Sequence, residues 1–220
     1  DTVVEITATH SAFAARTTAG KVIAWGDAEA GGDASGVATE LAACVVRSVH
    51  ATHYAFAAVC DNGKVVPWGD PVSGGSQQQM AAALGGASVT QLVGNNQAFA
   101  AITEGGYAVA WGLGDYGGDL SAVGDQLAAM APIGTIVAAE YAFAAVARDT
   151  GKVIAWGDPT SGGDSSAVEE ALNGGITQVT ATEAAFAALK VDGSVVTWGD
   201  HNAGGDPRGA QQLLDRKGIQ

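Results

Sequence analysis

Three residues before each of five phenylalanines stands a polar side chain: His10, His53, Asn96, Glu140 and Glu183. Imidazole nitrogens and carboxylates are common Zn²⁺ ligands, so two His and two Glu at one recurring position raise the chemistry of a metal centre. Their spacing argues against it. A residue that recurs once per structural unit is expected to form a ring on one face, its members too far apart to meet a single ion at about 2 Å. Solvated turn residues account for the position, and we expect neither a metal nor a cofactor.

Nucleophilic and phosphate-binding chemistry is no better represented. Ser73-Gly74-Gly75 and Ser161-Gly162-Gly163 occupy equivalent places in the repeat, without the lysine of a phosphate-binding loop or a histidine in triad order. No G-x-G-x-x-G opens a helix with an acid downstream at dinucleotide-binding spacing. Asp27, Asp70, Asp158 and Asp200 each follow a W-G pair, Leu113 standing in their place in one copy, and such a recurring Asp reads as a turn or cap residue. With no proton-transfer pair in view, the chain is expected not to be an enzyme. Contact chemistry fits better. Tyr54, Tyr107, Tyr116 and Tyr141 are candidate protein-binding residues, since Tyr buries a large area and keeps a polar handle. Tyr54 and Tyr141, each two residues before a Phe, would equally suit the covering of a strand edge.

The elements that must hold these residues follow from an internal repeat. Phe13, Phe56, Phe99, Phe143 and Phe186 sit in A-F-A-A settings at separations of 43, 43, 44 and 43, and Trp25, Trp68, Trp111, Trp156 and Trp198 follow in W-G. A period in the 20 to 50 range means supersecondary units that bury their apolar faces against their neighbours. In the copy from Asp164 to Asp200, Asp164 and two serines precede Val168 and Leu172 at helical spacing, and Gly174-Gly175 ends a short helix. Ile176–Ala181, Ala185–Leu189 and Val195–Trp198 read as three strands, with Asp192-Gly193 as a tight turn matching Asn62-Gly63 and Gly105-Gly106. The helix recurs over 33–41, 77–84, 120–130 and 206–214.

We therefore expect a mainly β protein with short helices, a propeller-like ring of five repeats, each one short helix plus three antiparallel strands. The expected single domain spans 1–220, with units at 33–75, 76–118, 119–163 and 164–206, and a fifth made by joining 1–32 to 207–220. The opening strands lack a helix and the chain ends on one, so docking of the terminal helix beside the first strands would close the ring and remove open sheet edges. The Phe and Trp rings, flanked by Ala and Gly, are expected to form the inter-unit core.

Composition narrows the partners. Ten Lys and Arg against 23 Asp and Glu leave a net charge of −13, which repels phosphate backbones and argues against direct nucleic-acid binding. No apolar run reaches the roughly 18 residues a membrane helix needs, so membrane insertion is not expected. Cys44 and Cys60 lie outside any metal-binding spacing and are either two buried thiols or a disulfide. The chain begins at Asp1 rather than Met and without a charged-then-apolar leader, which favours an organellar or exported mature protein over a cytoplasmic one.

The segment Gly175–Asp206, GITQVTATEAAFAALKVDGSVVTWGDHNAGGD, resembles the repeat of the regulator-of-chromosome-condensation family of β-propellers. That repeat has a second strand with an apolar end, then D-G, a third strand ending in W-G, and a Gly-rich loop. The chain also resembles the three-stranded blades of the bacterial β-lactamase-inhibitor propeller, and its AFAA, VVTWGD and GGD wording is similar to repeat proteins abundant in dinoflagellate algae. Family members usually have seven blades against five copies here, and Gly-Gly-Asp replaces their Gly-Gln-Leu-Gly. The resemblance implies a non-catalytic protein-interaction propeller. It would be an accessory or stabilising subunit of a multi-subunit assembly, peripheral to a membrane complex such as an organellar photosystem, and associated with the chloroplast or thylakoid. A guanine-nucleotide exchange factor-like protein or an inhibitor- or lectin-like binder is the alternative it implies.

Overall fold

A computed structural model describes residues 1–207 and shows five antiparallel sheets of three strands each, every sheet ordered as in the chain. The first sheet holds β1 (Val3–Ala8), β2 (Ala12–Thr17) and β3 (Val22–Gly26); the second β4 (Val46–Ala51), β5 (Ala55–Cys60) and β6 (Val65–Gly69). The third holds β7 (Val89–Gly94), β8 (Ala98–Thr103) and β9 (Ala108–Gly112); the fourth β10 (Ile133–Ala138), β11 (Ala142–Ala147) and β12 (Val153–Gly157). The fifth is β13 (Ile176–Ala181), β14 (Ala185–Lys190) and β15 (Val195–Gly199). Short helices α1 (Ala38–Ala42), α2 (Gln77–Leu84), α3 (Gly124–Ala129) and α4 (Glu169–Leu172) lead into sheets two to five. Gly63, Gly106 and Gly193 turn the second strand into the third at φ of 76°, 78° and 83°, a region open to Gly because it has no Cβ.

Two compact units divide the chain: Asp1–Gly105 with Val109–Asp119, and Gly106–Ala108 with Leu120–Gln220. Inside the first, Ala12, Ala14 and Val37 pack against Val46, Val49, Phe56 and Trp68 of the next sheet. Ala55, Ala57 and Val59 of the second sheet pack in the same way on Val89, Leu92, Phe99 and Trp111 of the third. Inside the second unit, Ala142, Ala144 and Leu172 meet Ile176, Val179, Phe186 and Trp198. Each joint thus sets an alanine face against a face of large side chains, which is how small neighbours make room for big rings at interior packing density.

Register places each Phe beside its Trp. Phe56 pairs with Trp68 and Phe186 with Trp198 across adjacent strands, their ring centroids 5.2 Å and 5.1 Å apart. The Trp68 indole Nε1 donates to the Gly31 carbonyl of the preceding sheet's loop at 2.9 Å, and Trp111 and Trp198 repeat this to Gly74 and Gly162 at 3.0 Å and 2.9 Å. The first sheet departs from the expected inter-unit core: Phe13 is 46% and Trp25 44% exposed, whereas Phe56 is 0% and Trp68 4%. Within the first unit, the glycine loops of the described residues lie over Phe56 and Phe99 and none over this pair.

Other expectations need adjusting in detail. The helix expected over 33–41 is a tight turn at Ser35–Val37 followed by α1, and that over 120–130 shortens to α3, whereas α2 has the expected bounds with Ser76 Oγ accepting from Gln79 N at 3.3 Å. The helix expected over 206–214 and its docking beside the first strands lie outside the described residues. Cys44 and Cys60 are bonded: Cys44 precedes β4 and Cys60 ends β5, and pairing of these neighbours brings their Cα atoms to 5.8 Å, within disulfide range.

Burial lowers the pKa of His50 on β4 from its ordinary value of 6.5, with nearby Glu5 pulling it up and Arg47 pushing it further down. The unfolded chain then takes up this proton first as pH falls, so stability is complete above about pH 6.5 and declines below it. Melting temperature is expected to fall as pH drops below about 6.5, and His50→Gln to flatten part of that slope; an identical slope in the variant would contradict the assignment. Trp68→Ala should cost about 3 to 5 kcal/mol, and Trp25→Ala well under half as much. Chemical denaturation of the two variants checks this, and equal losses would count against the contrast between the joints.

Candidate interaction surface

The turn joining the first two strands of a sheet is built by a side chain that sequence reading passed over. Thr9, Thr52, Asn95 and Thr182 each stand four residues before the repeated Phe. The Thr52 hydroxyl accepts from Ala55 N at 3.0 Å, closing the turn, and donates to the Ser73 carbonyl at 2.9 Å in the loop after W-G. Thr9 does the same with Ala12 N and the Ala30 carbonyl, and Thr182 with Ala185 N and the Ala203 carbonyl. Asn95 substitutes an amide: Oδ1 accepts from Ala98 N at 2.8 Å and Nδ2 donates to the Tyr116 carbonyl at 2.6 Å. The fourth copy has Ala139, which keeps only the backbone bond to the Ala142 carbonyl. The signal was present in the sequence as a T-x-x-A-F pattern at the repeat spacing.

The loops so latched are themselves capped by the Asp after W-G. Asp70 accepts from Ser73 N at 2.9 Å and Asp200 from Asn202 N at 2.6 Å, the turn role expected of them. Asp158 lies in the same position; partial burial raises its pKa, but donors from Ser161 and Thr160 outweigh this and lower it overall. These carboxylates are therefore committed to holding backbone.

The latch displays the next residue, and here the polar candidates come together. His10 N donates to the His53 carbonyl and His53 N to the Asn96 carbonyl, both at 2.8 Å, while in the second unit Glu140 N donates to the Glu183 carbonyl at 2.8 Å. Successive turns are thus joined by a backbone ladder. The expected wide separation does not hold between neighbours: the His10 and His53 rings are 5.4 Å apart, and Asn96 Nδ2 lies 3.1 Å from His53 Nδ1. Proximity follows from the ladder, which sets adjacent side chains one hydrogen bond apart. Even so, among the described residues no group of three His, Cys, Asp or Glu is arranged to hold a metal ion.

The tyrosines separate. Tyr54 lies half-buried beside this ladder, its ring 6.1 Å from His10 and 5.6 Å from His53. Tyr116 and Tyr141 sit at the same end of their sheets, their carbonyls accepting from Asn95 Nδ2 and Asp158 N. Tyr107 is exposed in the β8–β9 turn at the opposite end. Next to Tyr54 a groove of about 580 Å³ runs between two loops, bounded by Asp27, Glu29, Asp70, Val72 and Gln97. Its wall mixes exposed Val72 with carboxylates.

Solved structures share this arrangement of sheets. The chain matches Prp20p of Saccharomyces cerevisiae, the yeast RCC1, with a TM-score of 0.59 and 17% identity over 90% of this chain and 57% of that one. It matches human WBSCR16 with a TM-score of 0.62 and 17% identity over 92% and 63% of the two chains. The fold is a β-propeller. The ectodomain of the Physcomitrella patens receptor kinase CR4 gives a further match, with a TM-score of 0.55 and 16% identity over 90% of this chain and 50% of that one. This propeller chain spans between half and under two thirds of the length of those proteins. The likeness to yeast RCC1 agrees with the resemblance carried by the repeat, and each blade here has three strands. No protein-family model and no curated protein sequence matches the chain.

Because Thr52 is buried and serves two backbone groups, Thr52→Val should cost about 1 to 3 kcal/mol by leaving Ala55 N and the Ser73 carbonyl without their partner. Urea denaturation measures it, and a midpoint equal to the parent's would remove the latch from the account of the blade.

Proposed function

We propose that the protein is a non-catalytic interaction propeller that serves as an accessory or stabilising subunit of a larger assembly. The observation that carries this reading is the surface formed by His10, His53 and Tyr54 beside the acidic groove that Val72 lines, which offers contact area and no reacting pair. Propeller relatives lend support of the same general kind: Prp20p has binding properties to Gsp1p and histones, and yeast RCC1 has been crystallised with Kap60. A rigid scaffold that varies only at its turns is the usual design of a binding protein.

The partner favoured by the groove is a protein segment with basic and apolar residues, in keeping with carboxylates at Asp27, Glu29 and Asp70 and a chain charge of −13. The finer reading, a subunit peripheral to an organellar photosynthetic complex, draws on the likeness of the AFAA, VVTWGD and GGD wording to dinoflagellate repeat proteins. The Cys44–Cys60 bridge supports an oxidising compartment, where disulfides persist. Among the described residues no helix is long and apolar enough to cross a membrane.

Co-purification from the native source followed by crosslinking mass spectrometry tests the reading. Neighbouring subunits are expected to crosslink next to Tyr54 and Val72, and Val72→Asp or His53→Ala to weaken capture by roughly tenfold or more with melting unchanged. Migration of the native protein as a lone monomer, or capture indifferent to both substitutions, would overturn it.

A further inference from the structure

Two histidines on neighbouring turns of the first unit stand where one ion can reach both. The wide spacing expected of a repeated position does not apply to this pair: His10 N donates to the His53 carbonyl at 2.8 Å, and the two ring centroids lie 5.4 Å apart with their planes at 49°. An imidazole nitrogen about 2.0 to 2.1 Å from Zn²⁺ puts its ring centroid roughly 3.2 Å from the ion, so two such rings at a tetrahedral angle of about 110° are roughly 5.2 Å apart. The spacing of His10 and His53 is that of two imidazoles on one ion.

The scaffold fixes both rings from several sides. Thr9 and Thr52 close the two turns, accepting from Ala12 N and Ala55 N at 3.0 Å each, so the backbone beside each histidine is held. The Tyr54 ring flanks the pair, 6.1 Å from His10 and 5.6 Å from His53, and narrows the rotamers open to them. His53 Nδ1 lies 3.1 Å from the Asn96 amide. With the amide oxygen turned toward it, an exchange of ends that keeps the shape of the group, Nδ1–H donates to Oδ1 and Nε2 carries the lone pair a metal needs. Metal-bound imidazoles ordinarily have such an outer acceptor, which sets their tautomer and orientation. Both histidines are exposed, so water can complete the shell, and a net charge of −13 draws cations to the surface.

We propose that His10 and His53 together bind one imidazole-preferring divalent transition-metal ion such as Zn²⁺, with Asn96 as a positioning residue. Two nitrogen ligands with water elsewhere make an open, exchangeable site, in contrast to the four protein ligands of a structural zinc. Nitrogen donors favour Zn²⁺, Ni²⁺ and Cu²⁺ over Mg²⁺ and Ca²⁺, which take oxygen. The corresponding rung in the second unit joins Glu140 to Glu183 and has no imidazole, so the nitrogen pair belongs to the first unit.

Calorimetric titration of the 220-residue chain with zinc chloride, in excess Mg²⁺ to occupy loose carboxylate sites, tests this alongside histidine ring ¹⁵N spectra. One ion per chain is expected, shifting the ring nitrogens of His10 and His53 and leaving those of His50 and His201 in place. His10→Gln and His53→Gln should each weaken binding about tenfold or more while melting with the metal-free parent, and Asn96→Ala should weaken it roughly tenfold with both rings still responding. His201→Gln is expected to keep the parent's affinity. Zinc should raise the melting temperature of the parent and leave that of either His10 or His53 variant unchanged. Absence of binding up to about 1 mM zinc, equal affinity in the His10 and His53 variants, or ring shifts confined to His201 would overturn the proposal. The chain is titrated alone, so the outcome is independent of whether a partner is captured on the same face.

Discussion

Each described joint in this protein depends on an indole N–H that reaches a glycine carbonyl over the face of a phenylalanine. The glycine meets two demands at once. Its φ of 90° to 99° lies in a region other residues avoid, and any side chain there would strike the ring beneath. The Trp meets two as well, filling the space beside small alanines and delivering a buried donor to an otherwise unpaired acceptor. Remove either and the remaining polar group is stranded in an apolar joint. This coupling explains why W-G and G-G recur together at fixed separation, and why the loop between them is held by Asp caps and Thr latches rather than left loose.

Much of this was legible from the repeat. Strand bounds, the tight turns at Asn62-Gly63 and Asp192-Gly193, and helix α2 with its Ser76 cap all follow from local rules: alternation, a Gly that can take positive φ, a hydroxyl that can cap. What the sequence concealed is set by contacts distant along the chain. Nothing in the neighbourhood of Thr52 announces that its hydroxyl will meet a carbonyl 21 residues on, and nothing near Phe13 says that this ring, identical in setting to Phe56, will stand uncovered. Cys44 and Cys60 had two readings until strand pairing brought them together. The candidate surface was half visible: its residues were identified, but the ladder that gathers His10, His53 and Asn96, and the groove beside Tyr54, exist only once the turns are joined.

For function, the division of labour matters more than any single residue. Side chains with chemistry to offer, such as Asp70, Asp158 and Asp200, are engaged by their own loops, so their charge supports the scaffold and shapes the local field. The proposed contact residues stand at the turns, away from the aromatic joints. A propeller organised in this way can change its turns while its blades stay constant.

The ladder across the turns carries this separation to its end. Because the bonds that join His10 to His53, His53 to Asn96 and Glu140 to Glu183 run through peptide groups, the scaffold is indifferent to which side chain hangs from each rung. Within each unit the rungs behave like movable type, histidine and asparagine set in the first and glutamate in the second without recasting the frame. Only proline is barred from a donating rung, since it brings no N–H to the bond.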